Sequence, residues 1–378
     1  MKKDTQAVQL DEFEKELIVS LNKDHKDRIA YNLAHDVAPI NIKGWVSTGS
    51  KLLDYIISNR RNGGIPEGRI IEIFGTPSIG KSHIAFQIAK SAQQMGGICI
   101  YIDTENATSM ENLATLGVDV EKRFVFIETS CTEYIFQAIQ SIILKSGSIA
   151  KDVPVVIIWD SIAASSPKAE LEANYDKDSI GLQARAMSKG LRKITQIIAE
   201  RQVTLLCLNQ TRTKIGVMFG DPTTTPGGMA LPFHASTRIR LMGGAKIKDK
   251  DGEIVGIRVT AKTIKNKVAA PNRKAEFEIH FGKGLFEHEQ IFDILREHPG
   301  LDKDGKHITV GGSGTWKKLE VTDKETGEVL VEKKFYKADF DEVMKNPDYA
   351  DYINELLDDA MIRCYNVSPS KKKSNGKQ

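Results

Sequence analysis

The feature that most constrains the fold is a short glycine-containing segment that fits the pattern G-x-x-x-x-G-K-[ST]. Its members are Gly75, Thr76, Pro77, Ser78, Ile79, Gly80, Lys81 and Ser82. An apolar run at 69–74 precedes the segment and predicts a buried strand, while Ile84, Ile88 and Ala92 follow at the spacing of one helix face. Glycines between a strand and a helix let backbone N–H groups curl around phosphate oxygens at the helix N-terminus. The segment therefore predicts an α/β protein with a phosphate-binding loop.

Two side chains at the end of this loop add to its chemistry. The ammonium group of Lys81 is a point charge suited to the β- and γ-phosphates of a nucleotide, and the Ser82 hydroxyl suits Mg²⁺. A chance match to the pattern is the alternative, which the flanking strand and helix disfavour. We therefore expect a nucleoside triphosphate and Mg²⁺ at this loop.

The bulk composition excludes several broad classes of protein. The chain has 378 residues, of which 40% are hydrophobic and 27% charged, as is ordinary for a soluble globular protein. Lys and Arg number 53 against 50 Asp and Glu, so any surface for nucleic acid has to be local. The four cysteines form no C-x-x-C pair and read as reduced core residues, which favours a cytoplasmic location. The sequence shows no apolar leader and no run long enough to cross a bilayer, so no membrane association is expected.

Composition and periodicity divide the chain into four parts. Residues 1–44 predict an N-terminal helical segment for docking or oligomerisation, and residues 45–285 predict a core in which strands alternate with helices. Residues 286–367 predict a small α+β C-terminal domain, and residues 368–378 a disordered basic tail. The N-terminal segment carries three apolar residues at helical spacing, Phe13, Leu17 and Leu21.

Apolar runs in the core predict eight strands. The early runs alternate with helical stretches and favour a parallel sheet flanked by helices, whereas the later runs have little helix between them and indicate antiparallel additions. The runs are 69–74, 98–102, 124–127, 153–158, 205–208, 238–241, 257–263 and 276–281. Beyond the core, the sequence predicts a helix at 286–300, a turn at 302–306, short strands at 316–335 and helices near 338–363.

Three polar strand ends are candidates for chemistry on a bound nucleotide. An apolar strand leads to Asp160, which could hold a Mg²⁺-bound water as a Walker B acid; a helix cap by Asp160 or Ser161 is the alternative. Glu105 could polarise the attacking water, although acids at strand ends are also common without such a role. The side-chain amide of Gln210 could hydrogen-bond the γ-phosphate and so sense its presence, or it could simply hydrogen-bond the backbone of the following loop.

Longer segments beyond these strands resemble the RecA-type recombinases. The stretch QTRTKIGVMFGDPTTTPGG at 210–228 resembles the second DNA-binding loop of that family, and 165–172 with 180–185 resembles the first. The segment KNKVAAP at 265–271 also matches the family. The likeness is continuous from about residue 45 to residue 285.

The resemblance implies a RecA-like P-loop ATPase core, with a mostly parallel twisted sheet flanked by helices and DNA-binding loops at about 165–182 and 211–228. It implies binding of ATP and Mg²⁺ and polymerisation into a helical homo-oligomeric filament on single-stranded DNA. Homologous pairing and strand exchange with duplex DNA, in recombinational repair, would follow with DNA-stimulated ATP hydrolysis. Single-strand-binding and mediator proteins are further expected partners.

The same resemblance assigns roles around the nucleotide. Glu105 takes the position of the catalytic base, Gln210 that of the γ-phosphate sensor, and Asp160 binds Mg²⁺ through water. Lys265 and Lys267 match lysines that reach across a subunit interface to the neighbour's ATP, with a solvated strand edge as the alternative. The nucleotide contacts are residues 75–82, His83 and Asp160, with Lys81 also catalytic and Ser82 a direct Mg²⁺ ligand.

Another group of residues is expected to contact DNA. Arg185, Ser188 and Arg192 are spaced to share one helix face, which can follow a phosphate backbone or simply be a charged outer surface. Phe233 matches an aromatic residue at the subunit interface, with burial in the chain's own core as the alternative. The remaining DNA contacts that the resemblance implies are Ile180, Arg212, Ile215, Gly227 and Gly228.

Two other functions use the same kind of core. A ring-forming DNA helicase or motor would share the phosphate loop and the Walker B acid, but it gives no reason for the loop at 211–228. A nucleotide-dependent regulator would scaffold partners without chemistry on DNA. Electron microscopy with single-stranded DNA distinguishes the three functions. A recombinase predicts helical filaments, a helicase or motor predicts closed rings, and a regulator predicts neither.

Overall fold

The computed structural model describes residues 2–25, 28–36, 38–148, 152–174, 181–213 and 223–363, with side chains from residue 9 onward. The chain forms two compact units, residues 1–43 and 44–378. The predicted basic tail at 368–378 lies outside the described residues. Among the described residues, no helix combines the length and the apolar character needed to cross a membrane.

The helices of the described residues are α1 (Lys2–Lys23), α2 (Lys51–Ser58), α3 (Lys81–Gln94), α4 (Met110–Thr115), α5 (Thr132–Ser146), α6 (Lys168–Leu171), α7 (Leu182–Arg201), α8 (Ala230–His234), α9 (His288–Glu297), α10 (Phe340–Lys345) and α11 (Pro347–Met361). The strands are β1 (Trp45–Val46), β2 (Ile65–Pro66), β3 (Ile70–Gly75), β4 (Ile98–Asp103), β5 (Phe124–Glu128), β6 (Val155–Asp160), β7 (Val203–Gln210), β8 (Arg212–Thr213), β9 (Thr223–Thr224), β10 (Thr237–Lys248), β11 (Ile254–Asn266), β12 (Lys274–His280), β13 (Gly284–Phe286), β14 (Leu301–Lys303), β15 (Lys306–Gly311), β16 (Trp316–Asp323) and β17 (Val329–Tyr336).

The N-terminal unit is a long helix with a segment folded back along it. Phe13, Leu17 and Leu21 lie on α1, which confirms the predicted helix. Their side chains are exposed. The side-chain carbonyl oxygen of Asn22 accepts hydrogen bonds from the backbone N–H groups of Ile29 and Ala30. The Asn32 amide donates to Glu14. These polar contacts hold the returning segment against α1.

A nine-stranded sheet organises the second unit, in the order β13-β12-β11-β10-β3-β7-β6-β4-β5. The strands from β10 to β5 in this order run parallel to their neighbours, and β11, β12 and β13 are antiparallel additions. All eight strands predicted in the core are confirmed. The mixed α/β architecture predicted from the sequence is therefore the observed fold.

Helices cover both faces of this sheet, because successive strand side chains point to opposite sides. In β4, Cys99 and Tyr101 pack into the layer that holds α2 and α3, whereas Ile100 and Ile102 pack into the layer that holds α5 and α7. The three residues predicted to form the apolar face of α3, Ile84, Ile88 and Ala92, are 0% exposed. The helix after the phosphate loop is thus anchored by its apolar face.

The C-terminal part is a four-stranded antiparallel sheet, β14-β15-β16-β17, with α9, α10 and α11. The predicted helix at 286–300 corresponds to α9, and the helices predicted near 338–363 correspond to α10 and α11. The sequence analysis missed β14 and β15, which flank the predicted turn at 302–306. Both strands are short and mostly polar, so they give little hydrophobic alternation.

Two carboxylates, the buried Asp54 and the half-buried Glu287, hold the start of α2. Glu287 accepts the Ser50 hydroxyl at 2.6 Å and the Lys51 N–H at 2.6 Å. Asp54 accepts the hydroxyls of Ser47 and Thr48 at 2.6 and 2.7 Å. Burial is the main cause that raises the pKa of Asp54 to about 7, and the nearby Glu287 carboxylate raises it further. Burial also raises the pKa of Glu287.

The raised pKa of Asp54 predicts that stability falls as the pH rises. The folded state binds this proton more tightly than the unfolded chain does, so its stabilising contribution is complete below about pH 4 and is lost through about pH 7. Urea unfolding should show an Asp54-dependent loss on the order of 2 kcal/mol between about pH 5 and about pH 8. An Asp54→Asn variant should lack this part of the loss. Equal losses in the two proteins would contradict the assignment.

Candidate nucleotide and nucleic-acid sites

The carboxyl ends of four neighbouring parallel strands form one polar edge of the large sheet. Gly75 at the end of β3 lies opposite Gln210 at the end of β7. Asp160 at the end of β6 lies opposite Asp103 at the end of β4, and Glu105 follows two residues later. The structure therefore brings the predicted phosphate loop, Walker B acid, catalytic base and sensor to one place, as expected for a doubly wound sheet.

The phosphate loop joins β3 directly to α3. Gly80 is the N-cap of α3 and has a φ of 92°, a left-handed conformation that favours glycine. No side chain caps this helix, while Thr76, Pro77 and Ser78 are exposed. The first-turn N–H groups are therefore open to an anionic ligand. Close by in the chain, Nε2 of His83 is buried without a hydrogen-bond partner in the described residues.

Lys81 is buried under the loop and folds back onto it. Its ammonium donates to the carbonyl oxygens of Thr76 at 2.8 Å and Gly75 at 3.3 Å. Burial lowers the pKa of Lys81, and the negative charges of Asp160 and Glu105 oppose that effect. The cation thus already lies at the loop that would receive the phosphates.

Asp160 accepts two hydrogen bonds on the same oxygen. The hydroxyls of Ser82 and Tyr101 each lie 2.6 Å from its Oδ2. Burial raises the pKa of Asp160 most; these two hydrogen bonds lower it, and the carboxylates of Glu105 and Asp103 raise it. Ser161 does occupy the N-cap position of a short 3-10 helix at Ile162–Ala164, but its side chain makes no capping hydrogen bond.

The oxygen atoms of Ser82 and Asp160 fit Mg²⁺, which protein sites bind through few side chains together with phosphates and water. In the described part of the chain, no group of three or more His, Cys, Asp or Glu side chains forms a metal site of its own. With the uncapped helix and Lys81 beside them, these oxygens fit a nucleotide that brings further ligands to the ion.

Glu105 is exposed and is held in a defined position. Its Oε1 accepts the Ser161 hydroxyl at 2.5 Å and the Gln210 side-chain amide at 3.2 Å. The buried Asp103 fixes the backbone around it by accepting the N–H groups of Glu105 and Asn106, both at 2.9 Å. A carboxylate held this way can accept a proton from a water molecule.

Sequence reasoning missed Ser161 as a partner of Glu105 and Tyr101 as a partner of Asp160. Ser161 was considered only as a possible cap. Tyr101 could have been noticed because it carries a hydroxyl group within an apolar strand, but no local pattern indicates which residue it contacts.

The predicted DNA contacts that the structure describes gather around the start of α7. Arg185 and Arg192 are exposed, and Arg192 Nε donates to the Ser188 backbone oxygen at 3.2 Å. Gly228 packs so close to α7 that an added Cβ would lie 2.8 Å from Cβ of Ala184. The turn containing Gly227 and Gly228 therefore lies beside the predicted basic face.

Of the first predicted loop, residues 165–174 and 181–182 are described, and the second is described only at its two ends. Arg212 is exposed in β8, which pairs with β9 to close the base of the second loop. Two predicted contacts, Ile180 and Ile215, lie outside the described residues.

Lys265 and Lys267 do not lie at the chain's own phosphate loop. Lys265 is level with Arg238 near the start of β10, and that end of β10 pairs with the start of β3, whereas the loop follows the end of β3. The Lys265 ammonium donates to the carbonyl oxygens of Pro232 and Phe233, both at 2.8 Å. Phe233 is 75% exposed, so the alternative of burial in the chain's own core is wrong.

The family model and the known proteins that this chain matches all point to one family. Residues 16–286 match the family model for the RecA N-terminal domain. The chain is 42% identical to Protein RecA of Sulfurimonas denitrificans over 269 residues, which cover 70% of this chain and 74% of that protein. It is 41% identical to Protein RecA of Helicobacter hepaticus over 284 residues, covering 75% of this chain and 76% of that protein. Protein RecA of Geobacter sulfurreducens is 39% identical over 267 residues, covering 71% of this chain and 76% of that protein.

The packing of Gly75 predicts that the loop does not tolerate a side chain at its first position. A Cβ there would lie 2.7 Å from the backbone oxygen of Leu241, so Gly75→Ala would force β3 and β10 apart. We expect a lower melting temperature and a loss of nucleotide affinity of about tenfold or more, measured by titration with a fluorescent nucleotide.

Gly311→Ala is the matched control. Gly311 also ends a strand, and an added Cβ there would meet nothing within 4 Å. It should leave nucleotide affinity unchanged. Equal affinities in the two variants would show that the crowding at Gly75 has no bearing on the loop.

Proposed function

Because this chain belongs to the RecA family, with its recombinase role in DNA repair, we propose that it is an ATP-dependent strand-exchange protein. It forms helical filaments on single-stranded DNA and pairs that strand with a homologous duplex. The observation that carries the proposal is the 3.2 Å contact between Gln210 and Glu105. It joins the water-activating acid to the strand that leads into the predicted DNA-binding loop at 211–228.

The proposed hydrolysis uses the groups at the sheet edge. ATP would supply the phosphoryl group, and Mg²⁺ would offset part of the phosphate charge. The N–H groups at the start of α3 and the Lys81 ammonium bind the phosphates, and Ser82 and Asp160 hold the ion. Glu105, oriented by Ser161, takes the proton of the attacking water at its carboxylate. The Gln210 amide changes partners with the presence of the γ-phosphate.

A filament follows from the position of the two lysines. Lys265 and Lys267 lie by the start of β10, beside the amino end of β3, whereas the phosphate loop follows its carboxyl end. They can therefore serve a nucleotide only on a neighbouring subunit. An interface that joins two different surfaces head to tail generates a helical filament unless its rotation closes into a ring. The exposed Phe233 beside Lys265 supports the same surface as the interface.

The proposed single-stranded DNA site is the basic start of α7 with the adjoining glycine turn. Arg185 and Arg192 contact phosphates, and the backbone N–H groups of Gly227 and Gly228 add further contacts. Arg212 lies at the root of the second loop. Such contacts do not read sequence, so homology is tested by base pairing with the incoming duplex. ATP then acts as an allosteric switch of DNA affinity through Gln210.

Electron microscopy of the purified protein with single-stranded DNA and a slowly hydrolysed ATP analogue tests the proposal. Helical filaments with ATP analogue and few with ADP are expected. Closed rings would replace the proposal with a DNA helicase or motor. A protein that neither assembles nor binds DNA under these conditions would be a nucleotide-dependent regulator. Strand-exchange assays with homologous and non-homologous duplexes complete the test.

Glu105→Gln should separate nucleotide binding from hydrolysis. A glutamine keeps an oxygen for the Ser161 hydroxyl but cannot take the proton of water, so hydrolysis should fall by about a hundredfold or more. Nucleotide binding should persist, and filaments should remain long after wild-type filaments have disassembled. A phosphate-release assay and time-resolved microscopy measure both effects. Wild-type turnover in this variant would remove Glu105 from the role of base.

Lys267→Ala should impair DNA-stimulated hydrolysis while leaving nucleotide binding by a single subunit intact. Lys274→Ala, at an exposed lysine that begins β12, is the matched control. Mixing Lys267→Ala with Lys81→Ala tests action between subunits. Lys267→Ala keeps an intact phosphate loop, and Lys81→Ala keeps an intact Lys267. Mixed filaments should therefore regain hydrolysis at interfaces that join the two intact parts. Failure of the mixture to exceed either variant alone would contradict a contribution across the interface.

A further inference from the structure

Tyr101 has a buried hydroxyl group that the proposed hydrolysis does not use. It lies in β4 and is 0% exposed, and its OH donates to Asp160 Oδ2 at 2.6 Å. The apolar run in which it lies needs only the aromatic ring for packing. A phenylalanine would fill the same space, so the hydroxyl has to be explained by the bond that it makes.

Aromatic neighbours fix the tyrosine ring. Phe126 stacks on it with ring centroids 6.2 Å apart and planes 5° from parallel, and Phe124 stacks at 6.3 Å. Phe86 of α3 packs at 5.5 Å from a tilted direction. The hydroxyl therefore has one position and one direction.

The two hydrogen bonds make the two oxygen atoms of the Asp160 carboxylate different. Both Ser82 and Tyr101 donate to Oδ2, so Oδ1 is left without a hydrogen-bond donor in the described residues. Ser82 is also the expected direct ligand of the ion, and its hydroxyl has to serve both groups. Tyr101 is not an expected ligand of the ion, so it is the donor that can keep Oδ2 in place beside Ser82 while the Ser82 hydroxyl serves the ion.

We infer that Tyr101 is a positioning residue for the metal side of this site. Its hydroxyl holds Oδ2 of Asp160 beside the Ser82 hydroxyl, where the carboxylate would accept a hydrogen bond from water on an ion held at Ser82. The inference rests on the proposed nucleotide site and deepens it. Tyr101 acts through Asp160 and does not touch the nucleotide.

Tyr101→Phe removes the hydroxyl and keeps the ring, so the packing against Phe126 is retained. The direct measurement is Mn²⁺ binding to the complex with ADP, followed by electron paramagnetic resonance, with Mn²⁺ in place of Mg²⁺. Loss of one hydrogen bond to a charged group predicts a dissociation constant for Mn²⁺ about tenfold higher. ADP affinity in the presence of a chelator should be unchanged, because the phosphate loop is intact.

Tyr55→Phe is the matched control. Tyr55 is 5% exposed and also donates its hydroxyl to a carboxylate, Asp358, at 2.5 Å, but that pair joins α2 to α11 and not to the phosphate loop. This variant should keep wild-type Mn²⁺ affinity even if its melting temperature falls. The Mg²⁺ concentration that gives half-maximal hydrolysis should rise only for Tyr101→Phe, with the rate largely recovered at saturating Mg²⁺.

The outcomes separate this inference from the proposed function. Unchanged Mn²⁺ affinity in Tyr101→Phe, with normal binding by the wild type, would overturn the positioning role alone. An equal loss in Tyr55→Phe would also overturn it, since the effect would then reflect general destabilisation. If the wild-type protein bound neither ADP nor Mn²⁺ with ADP, the nucleotide site itself would be wrong.

Discussion

The lateral register of four parallel strands is the constraint on which the site depends. Backbone hydrogen bonds set β3, β7, β6 and β4 side by side, so that Gly75 is level with Gln210 and Asp160 with Asp103, and the register of β6 with β7 brings the two pairs to the same edge. These residues are far apart in the sequence, and none of them could form the site alone. A shift of one residue in any pair would turn the side chains to the opposite face of the sheet. The buried cores on both faces oppose such a shift.

The sequence allowed much of the fold and the nucleotide site to be predicted, because those signals are local. The phosphate loop is one contiguous pattern, and the apolar face of α3 repeats with the helical period. Strand-end acids such as Asp160 could be placed beside the loop by the general geometry of parallel sheets. Resemblance to the RecA-type recombinases, now supported by close relatives, supplied the longer loops and the expected roles.

Contacts between distant segments could not be predicted in the same way. The bond from Tyr101 to Asp160 depends on the register of β4 with β6, which no local pattern encodes. The same holds for Ser161 and Glu105, and for the crowding of Gly75 by β10. Strands β14 and β15 were missed because they are short and together contain only three large apolar residues, Leu301, Ile308 and Val310. Domain boundaries and residue roles from the resemblance stay predictions.

Lys81 has a consequence for how the loop discriminates among anions. Its ammonium donates to two carbonyl oxygens in the loop, those of Thr76 and Gly75. An incoming anion must replace both contacts before it gains from the charge. A small ion such as inorganic phosphate offers few atoms with which to offset that loss, whereas a chain of phosphates can engage the helix N–H groups at the same time. We therefore expect the folded-back lysine to favour an anion that carries several phosphates over a single small one.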